Sequence, residues 1–180
     1  TFRESSCEDL ETTPLLNAVV AASFLRSATA HEEMVEFLLR AGALPNLTSH
    51  GYSPLHAAAS QGNLKMVQLL LRYGARPDFK YRGETPLLMA AGRKKAVALI
   101  PELIAGGANI DDVDDLGGNA ISVAASSHNL EGVRLFVKLG VDACAEDQEG
   151  RTALYWAKSN LDEDPDKQEI ISFLQQKCGG

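Results

Sequence analysis

The fold is decided by the stretch GYSPLHAAASQGNLKMVQLLLRYGA, at residues 51–75. Ser53 is a residue type that caps helix N-termini, and Pro54 follows at the first helical position, where its missing N–H would have no acceptor. The apolar residues from Leu64 to Leu71 recur at helical spacing. Gly74 then supplies the left-handed end of a second helix. The stretch therefore predicts two short helices joined by a turn and followed by a loop.

The opening phrase of this stretch recurs along the chain. Related four-residue phrases start at positions 13, 53, 85, 119 and 152, which gives spacings of 40, 32, 34 and 33 residues. A Gly-Ala or Gly-Val pair closes each of the first four units, at 42–43, 74–75, 107–108 and 140–141. Self-similarity at a period of about 33 residues indicates a stack of repeated units.

Residues 51–75 closely resemble an ankyrin repeat, and the resemblance extends over roughly residues 10–177. It implies an all-α fold: an ankyrin-repeat solenoid of helix-turn-helix units joined by β-hairpin-like finger loops. We expect a single domain of five repeats, roughly at 8–46, 47–79, 80–113, 114–146 and 147–177. Because the chain starts at Thr1 and no signal segment follows, we expect it to be a fragment of a longer protein.

Four repeats depart from the pattern, and in the fourth the departure is its degenerate opening phrase, Asn119-Ala120-Ile121-Ser122. The first has eight extra residues at about 23–30, either a longer element that covers the N-terminal end or a docking element. The third has Pro101 inside its expected second helix, 96–105, where the lost hydrogen bond predicts a bend. In the fifth, Asp164 and Pro165 are expected to open a polar-faced capping helix.

Composition narrows the class of partner and the compartment. The net charge of −7 divides into −4 over residues 1–60, +6 over 61–100 and −9 over 101–180. Such a chain is a poor general binder of nucleic acid. No apolar run reaches the roughly 18 residues that suggest a membrane span. The three cysteines, Cys7, Cys144 and Cys178, are scattered, which argues against a disulfide framework and for a reducing compartment, cytoplasmic or nuclear.

No constellation of side chains indicates catalysis. The four histidines lack the spacing of metal ligands. The acidic run at 162–166 lacks the glycine and the glutamate of a calcium loop, so helix capping explains it better. We therefore expect no catalytic residue, no cofactor, no metal and no enzymatic activity within these residues.

The resemblance implies a concave groove, formed by the finger loops and the exposed side of each first helix. Tyrosine and arginine dominate interface hot spots, and both occur at groove positions of the middle repeats. We expect one patch to be formed by Tyr52, Tyr81 and Arg82 in adjacent fingers, joined by Tyr73. We also expect the groove to become acidic toward the C-terminus. The candidate partner-binding residues are Tyr52, Tyr73, Tyr81, Arg82, Glu84, Arg93, Asp115, Glu149, Arg151 and Trp156.

Two of these candidates have competing interpretations. Trp156, the single tryptophan, either packs against the fourth repeat or leans into the groove. With Glu149 as its only companion, it would form an incomplete methyl-lysine cage. Arg93 belongs to the run Arg93-Lys94-Lys95, which is either a solvated turn or an anion site.

Two functional hypotheses follow. The first is a protein-interaction module or scaffold, monomeric as this fragment, that binds a protein or peptide along the groove. The alternative is a regulatory or targeting segment of a larger enzyme or channel whose activity lies outside these residues. The full reading frame would separate the two.

Overall fold

The computed structural model describes residues 13–21, 28–159 and 164–178. Most of the insertion predicted at 23–30 lies outside these residues. A short 3-10 helix covers Lys94–Ala96. The described α-helices are α1 (Pro14–Ala21), α2 (Ala28–Arg40), α3 (Pro54–Gln61), α4 (Leu64–Arg72), α5 (Pro86–Ala91), α6 (Leu99–Ala105), α7 (Ala120–Ser126), α8 (Leu130–Lys138), α9 (Ala153–Ser159) and α10 (Pro165–Cys178).

The helices stack in two layers. The odd-numbered helices contact one another in chain order and form the inner layer. The even-numbered helices pack behind them, each against the inner helix that precedes it. Between α6 and α8 the outer layer is continued by the 3-10 helix, which contacts α8. The predicted all-α solenoid of helix-turn-helix units is therefore confirmed.

The recurring phrases start the inner helices, as their chemistry predicts. The hydroxyl of Ser53 accepts the backbone N–H of His56 in α3, and the hydroxyl of Thr85 accepts that of Leu88 in α5. At the degenerate phrase, the side chain of Asn119 accepts two backbone N–H groups of α7. Each cap satisfies donors that the first turn of a helix leaves without partners.

Small buried residues allow the inner helices to lie close together. The alanines of α3, α5 and α7 are fully buried, and larger apolar side chains fill the space between the two layers. Leu55, Leu88 and Ile121 are among the largest of these and have at most 1% of their surface exposed. The core is therefore a continuous strip along the stack.

The finger loops are hairpin-like. In the first, Ser49 pairs with Tyr52, and in the second, Tyr81 pairs with Glu84. Both central residues of each turn have positive φ: 50° and 87° at residues 50–51, and 51° and 80° at residues 82–83. This is the pattern of a type I′ turn, whose twist suits tight hairpins. The third and fourth fingers span 113–119 and 147–151.

The predicted helix at 96–105 is wrong at its start. The chain forms the 3-10 helix first, and α6 begins only at Leu99. Pro101 therefore lies in the first turn of α6, where a missing N–H costs no intrahelical hydrogen bond. A delayed helix start replaces the bend that we expected inside a longer helix.

The last helix opens as predicted. A side-chain oxygen of Asp164 accepts the N–H of Asp166 at 2.9 Å, and Pro165 is the first residue of α10. Ile170 and Leu174 are buried against the stack, and the outer face of α10 carries polar residues such as Gln168.

The expectation of unpaired cysteines is wrong for two of the three. Cys144 and Cys178 form a disulfide, with their Cα atoms 5.6 Å apart. They are 34 residues apart in sequence, which is about one repeat, so stacking brings them together although they are distant along the chain. The inference of a reducing compartment loses its support from these cysteines. Cys7 lies outside the described residues.

Candidate functional site

Two adjoining hollows open on the concave face, where the fingers meet the inner helices. The N-terminal hollow encloses about 710 Å³, between the first two fingers and α1. The central hollow encloses about 610 Å³ and runs from the second finger across α5 and α7 to α9. Tyr52 and Tyr81 line both hollows. We call this pair the tyrosine ridge.

The tyrosine ridge is held in place from several sides. The two rings meet edge to face with centroids 4.8 Å apart, a favourable aromatic geometry. The hydroxyl of Tyr52 lies 3.1 Å from that of Ser60 on α3. The guanidinium of Arg82 lies 5.2 Å from the centre of the Tyr81 ring. Both tyrosines keep part of their surface open to solvent, so the ridge is rigid and still accessible.

The two hollows differ in polarity. Leu16 and Val20 of α1 line the N-terminal hollow, and His50 and Arg82 lie at its rim. The central hollow is lined by small side chains of α7, such as Ser122 and Val123, and by carboxylates from the fingers. The N-terminal hollow is therefore the more apolar of the two, and the central hollow is about equally polar and apolar.

Glu84 contributes a partly buried negative charge to the central hollow. Its side chain is half-buried, and burial raises the pKa of its carboxyl group above the ordinary value of 4.5. The negative charge of Asp114 raises this pKa further, while the positive charge of Arg93 lowers it. Among the described residues, the carboxylate of Glu84 has no salt bridge.

A second acidic group, Asp147, is fully engaged within the protein. Its buried carboxylate accepts the backbone N–H groups of Glu149 and Arg151, the side chain of Arg151 at 2.9 Å and the indole N–H of Trp156 at 3.1 Å. Burial alone would raise the pKa of Asp147, but these donors lower it to about 2. Asp147 therefore supports the wall of the hollow and is not free to bind a partner.

Trp156 stands at the C-terminal end of the central hollow. The guanidinium of Arg151 lies 4.4 Å from the centre of its ring system, and the ring of Tyr155 meets it edge to face. Of the two interpretations, the structure therefore places Trp156 at the groove.

Several predicted site residues lie elsewhere or are already paired. Tyr73 caps the end of α4 and bonds the side chain of Arg40, so it does not join the tyrosine ridge. The carboxylate of Asp115 lies over Gly83 of the preceding finger. Glu149 forms a salt bridge with Arg151 at 2.7 Å. Arg93 lines the central hollow, as predicted for a groove residue.

Sequence reasoning missed Asp114 and Asp147 as parts of the groove, and it missed the partners of Lys94. The first two precede turn glycines in their fingers, and their side chains accept backbone N–H groups of those turns. An aspartate ahead of a Gly-containing turn is the sequence signal for this arrangement. Lys94 is exposed, as a solvated turn implies, but its ammonium group also bonds Asp164 and Asp166, both at 2.8 Å, which neither interpretation of the basic run predicted.

The described part of the chain offers no group of three or more His, Cys, Asp or Glu side chains placed to hold a metal ion. None of the helices described here is both long and apolar enough to cross a membrane. The groove presents an aromatic ridge between two hollows of different polarity, an arrangement suited to binding.

Comparisons with known proteins agree with this architecture. The family model described as ankyrin repeats (3 copies) matches residues 18–101 and 87–179. The chain is also 33% identical over 151 residues to the nuclear factor NF-kappa-B p105 subunit of Gallus gallus. That alignment covers 83% of this chain but 12% of the relative, so the chain spans a small part of the protein that it matches.

The chain belongs to the ankyrin-repeat family. Repeats of this family are non-catalytic modules that generally mediate protein–protein interactions.

Proposed function

We propose that this chain is a protein-interaction module that binds a segment of a protein partner along the concave groove, across the tyrosine ridge. The observation that carries the proposal is the pair of hollows, about 710 and 610 Å³, that share Tyr52 and Tyr81. Clefts of this size hold several side chains. Rigid tyrosines bind at a low cost in conformational entropy, and tyrosine and arginine are the commonest hot-spot residues.

The test uses three forms of the chain as bait in a lysate: the wild type, a groove variant and a matched variant of the convex side. The groove variant carries Tyr81→Ala and Arg82→Ala. The convex variant carries Glu131→Ala and Lys138→Ala, two exposed changes on α8. Thermal melting of each bait confirms that it is folded.

We expect at least one protein to be captured by the wild type and the convex variant and to be lost with the groove variant. Binding of that protein, once purified, should weaken at least tenfold in the groove variant, since a hot-spot residue contributes about 2 kcal/mol or more. If every captured protein is retained by the groove variant, the interface does not lie where we place it.

A further inference from the structure

The charged groups of the central hollow do not balance. Its lining includes the carboxylates of Glu84, Asp114 and Asp147 and the guanidinium of Arg93. Arg151 offsets Asp147 through a salt bridge at 2.9 Å. One oxygen of Asp114 accepts the N–H groups of Leu116 and Gly118, both at 2.8 Å. The three carboxylates and the guanidinium groups of Arg93 and Arg151 leave one net negative charge, which Glu84 and Asp114 share.

Glu84 is held where it is by the backbone. Its carbonyl oxygen accepts the ring N–H of His56, at 3.2 Å, and its backbone pairs with Tyr81 across the turn. The side chain therefore projects into the hollow from a fixed point on the second finger. Its partial burial removes water that would otherwise solvate the carboxylate, so an incoming positive charge gains more there than at an open surface.

Aromatic rings and small side chains complete the surroundings of Glu84. Tyr52 and Tyr81 stand on the N-terminal side of the hollow and Trp156 at the other end. Gly92, Ser126 and Ser127 lie along its edge and leave room for a partner's backbone. Aromatic faces attract cations, and long aliphatic stems pack against them.

We propose that the central hollow selects partners by a lysine or arginine side chain, whose charged end pairs with Glu84 beside the tyrosine ridge. This inference rests on the proposed function, because it requires that the groove bind a protein segment. The inference adds that the bound segment carries a positively charged side chain, because complementary charges determine which partners bind. An acidic segment would face the carboxylates of the fingers and is disfavoured.

The test uses a phage-displayed library of random dodecapeptides, panned on the full chain. Peptides that depend on the groove are identified by their loss of binding to the variant with Tyr81→Ala and Arg82→Ala. We expect these peptides to share a lysine or arginine. Glu84→Gln, which keeps the shape and removes the charge, should weaken them about tenfold, in line with the loss of a hydrogen bond to a charged group.

Asp111→Asn is the matched control. It removes the same charge at an exposed position that does not line the hollow, and it should leave the affinities unchanged. A substitution in the peptide tests the same contact without altering the protein. Replacing the shared cationic residue by glutamine should weaken binding to the wild-type chain. It should have little further effect on the Glu84→Gln chain, because the two changes remove one interaction.

The pH dependence provides a second measurement on the unmodified chain. The affinity of these peptides should fall as the pH decreases through the raised pKa of Glu84, since protonation removes the charge that holds the cation. The same titration with Glu84→Gln should be flatter.

The outcomes separate the two proposals. If groove-dependent peptides share no cationic residue, or bind equally well to the Glu84→Gln chain, the charge-selection inference fails and groove binding stands. If no selected peptide depends on Tyr81 and Arg82, peptide binding in the groove fails, and the inference fails with it.

Discussion

At the scale of single residues, His56 connects two neighbouring units of the stack. Its Nδ1 accepts the backbone N–H of Ser53 at 3.2 Å, so Nε2 carries the proton and donates to the carbonyl of Glu84, also at 3.2 Å. The ring is fully buried. This neutral tautomer satisfies both backbone groups, and a second proton on Nδ1 would displace the Ser53 donor.

Stability should therefore decrease in mild acid. Burial lowers the pKa of His56 below its ordinary value of 6.5. The folded state then binds fewer protons than the unfolded state, so the stabilisation is complete above about pH 6.5 and is lost as the pH falls toward the folded pKa. We expect melting temperatures to decline from pH 7.5 to pH 5.

Variants of two histidines test this assignment. His56→Gln should flatten the pH profile and cost about 1–3 kcal/mol at neutral pH, because buried backbone groups lose their partners. His50→Asn, at an exposed fingertip, should leave the profile unchanged. An unchanged profile in His56→Gln would show that other groups cause the acid sensitivity.

Gly83 allows the side chain of Asp115, in the third finger, to lie directly against the backbone of the second finger. Its φ is +80°, and a Cβ placed on it would lie 2.3 Å from the carboxyl carbon of Asp115. Gly83→Ala should therefore destabilise the chain by about 1–2 kcal/mol through its backbone conformation, with a further loss from displacing Asp115. Urea unfolding measures the total.

Gly150→Ala is the matched control for this prediction. Gly150 has a similar φ of +75°, but nothing lies within 4 Å of the added carbon. It should show the cost of the backbone conformation alone. Equal losses in the two variants would mean that Asp115 moves aside freely.

At the scale of elements, α10 is the cap of the stack and is attached covalently. The disulfide joins Cys178 in its last turn to Cys144, ahead of the fourth finger. In a solenoid, each unit is stabilised only by its neighbours, so a terminal helix has half the support of an internal one. The disulfide compensates for the missing neighbour on the outer side of α10.

Reduction should loosen α10 before the rest of the stack. Closing a loop of 34 residues is worth about 3–4 kcal/mol by chain entropy. We expect faster hydrogen exchange in α10 on adding a dithiol reductant, with little change in α3 and α5. Cys144→Ser together with Cys178→Ser should exchange like the reduced chain and should not respond to the reductant. Equal protection of α10 in both redox states would contradict this role.

At the scale of the whole molecule, Lys94 connects parts of the stack that are not neighbours. It lies in the 3-10 helix between α5 and α6, and it bonds Asp164 and Asp166 at the start of α10, 70 and 72 residues away. It thus spans the intervening pair, α7 and α8. These hydrogen bonds raise the pKa of Lys94 and lower that of Asp164.

Lys94→Met should destabilise the chain by about 0.5–1 kcal/mol at low salt, since partly exposed ion pairs contribute little each. The loss should shrink at high salt, where the charges are screened. Lys95→Met removes an exposed neighbouring charge and is the control. Urea unfolding at both salt concentrations gives the comparison. An equal loss in the two variants, or one that salt does not change, would rule out the ion pairs as the cause.

The candidate site was predictable in part. Positions in the repeated unit predict five groove residues that do line the central hollow: Tyr52, Tyr81, Glu84, Arg93 and Trp156. Tyr73 is close to these residues in sequence, which predicts that it joins them in the groove. It instead ends an outer helix and bonds Arg40. The reason is geometric: a shared repeat does not imply a shared face of the repeat.

Local sequence patterns are enough to predict the helix pairs, their capping residues and the all-α stack, because caps and hydrophobic periodicity act over a few residues and repeat along the chain. Which side chains of different units meet depends on how the units stack. Stacking creates the tyrosine ridge, the partly buried position of Glu84 in the central hollow, the Lys94 contacts and the Cys144–Cys178 disulfide. These contacts depend on the angle and distance between units, which local patterns do not specify.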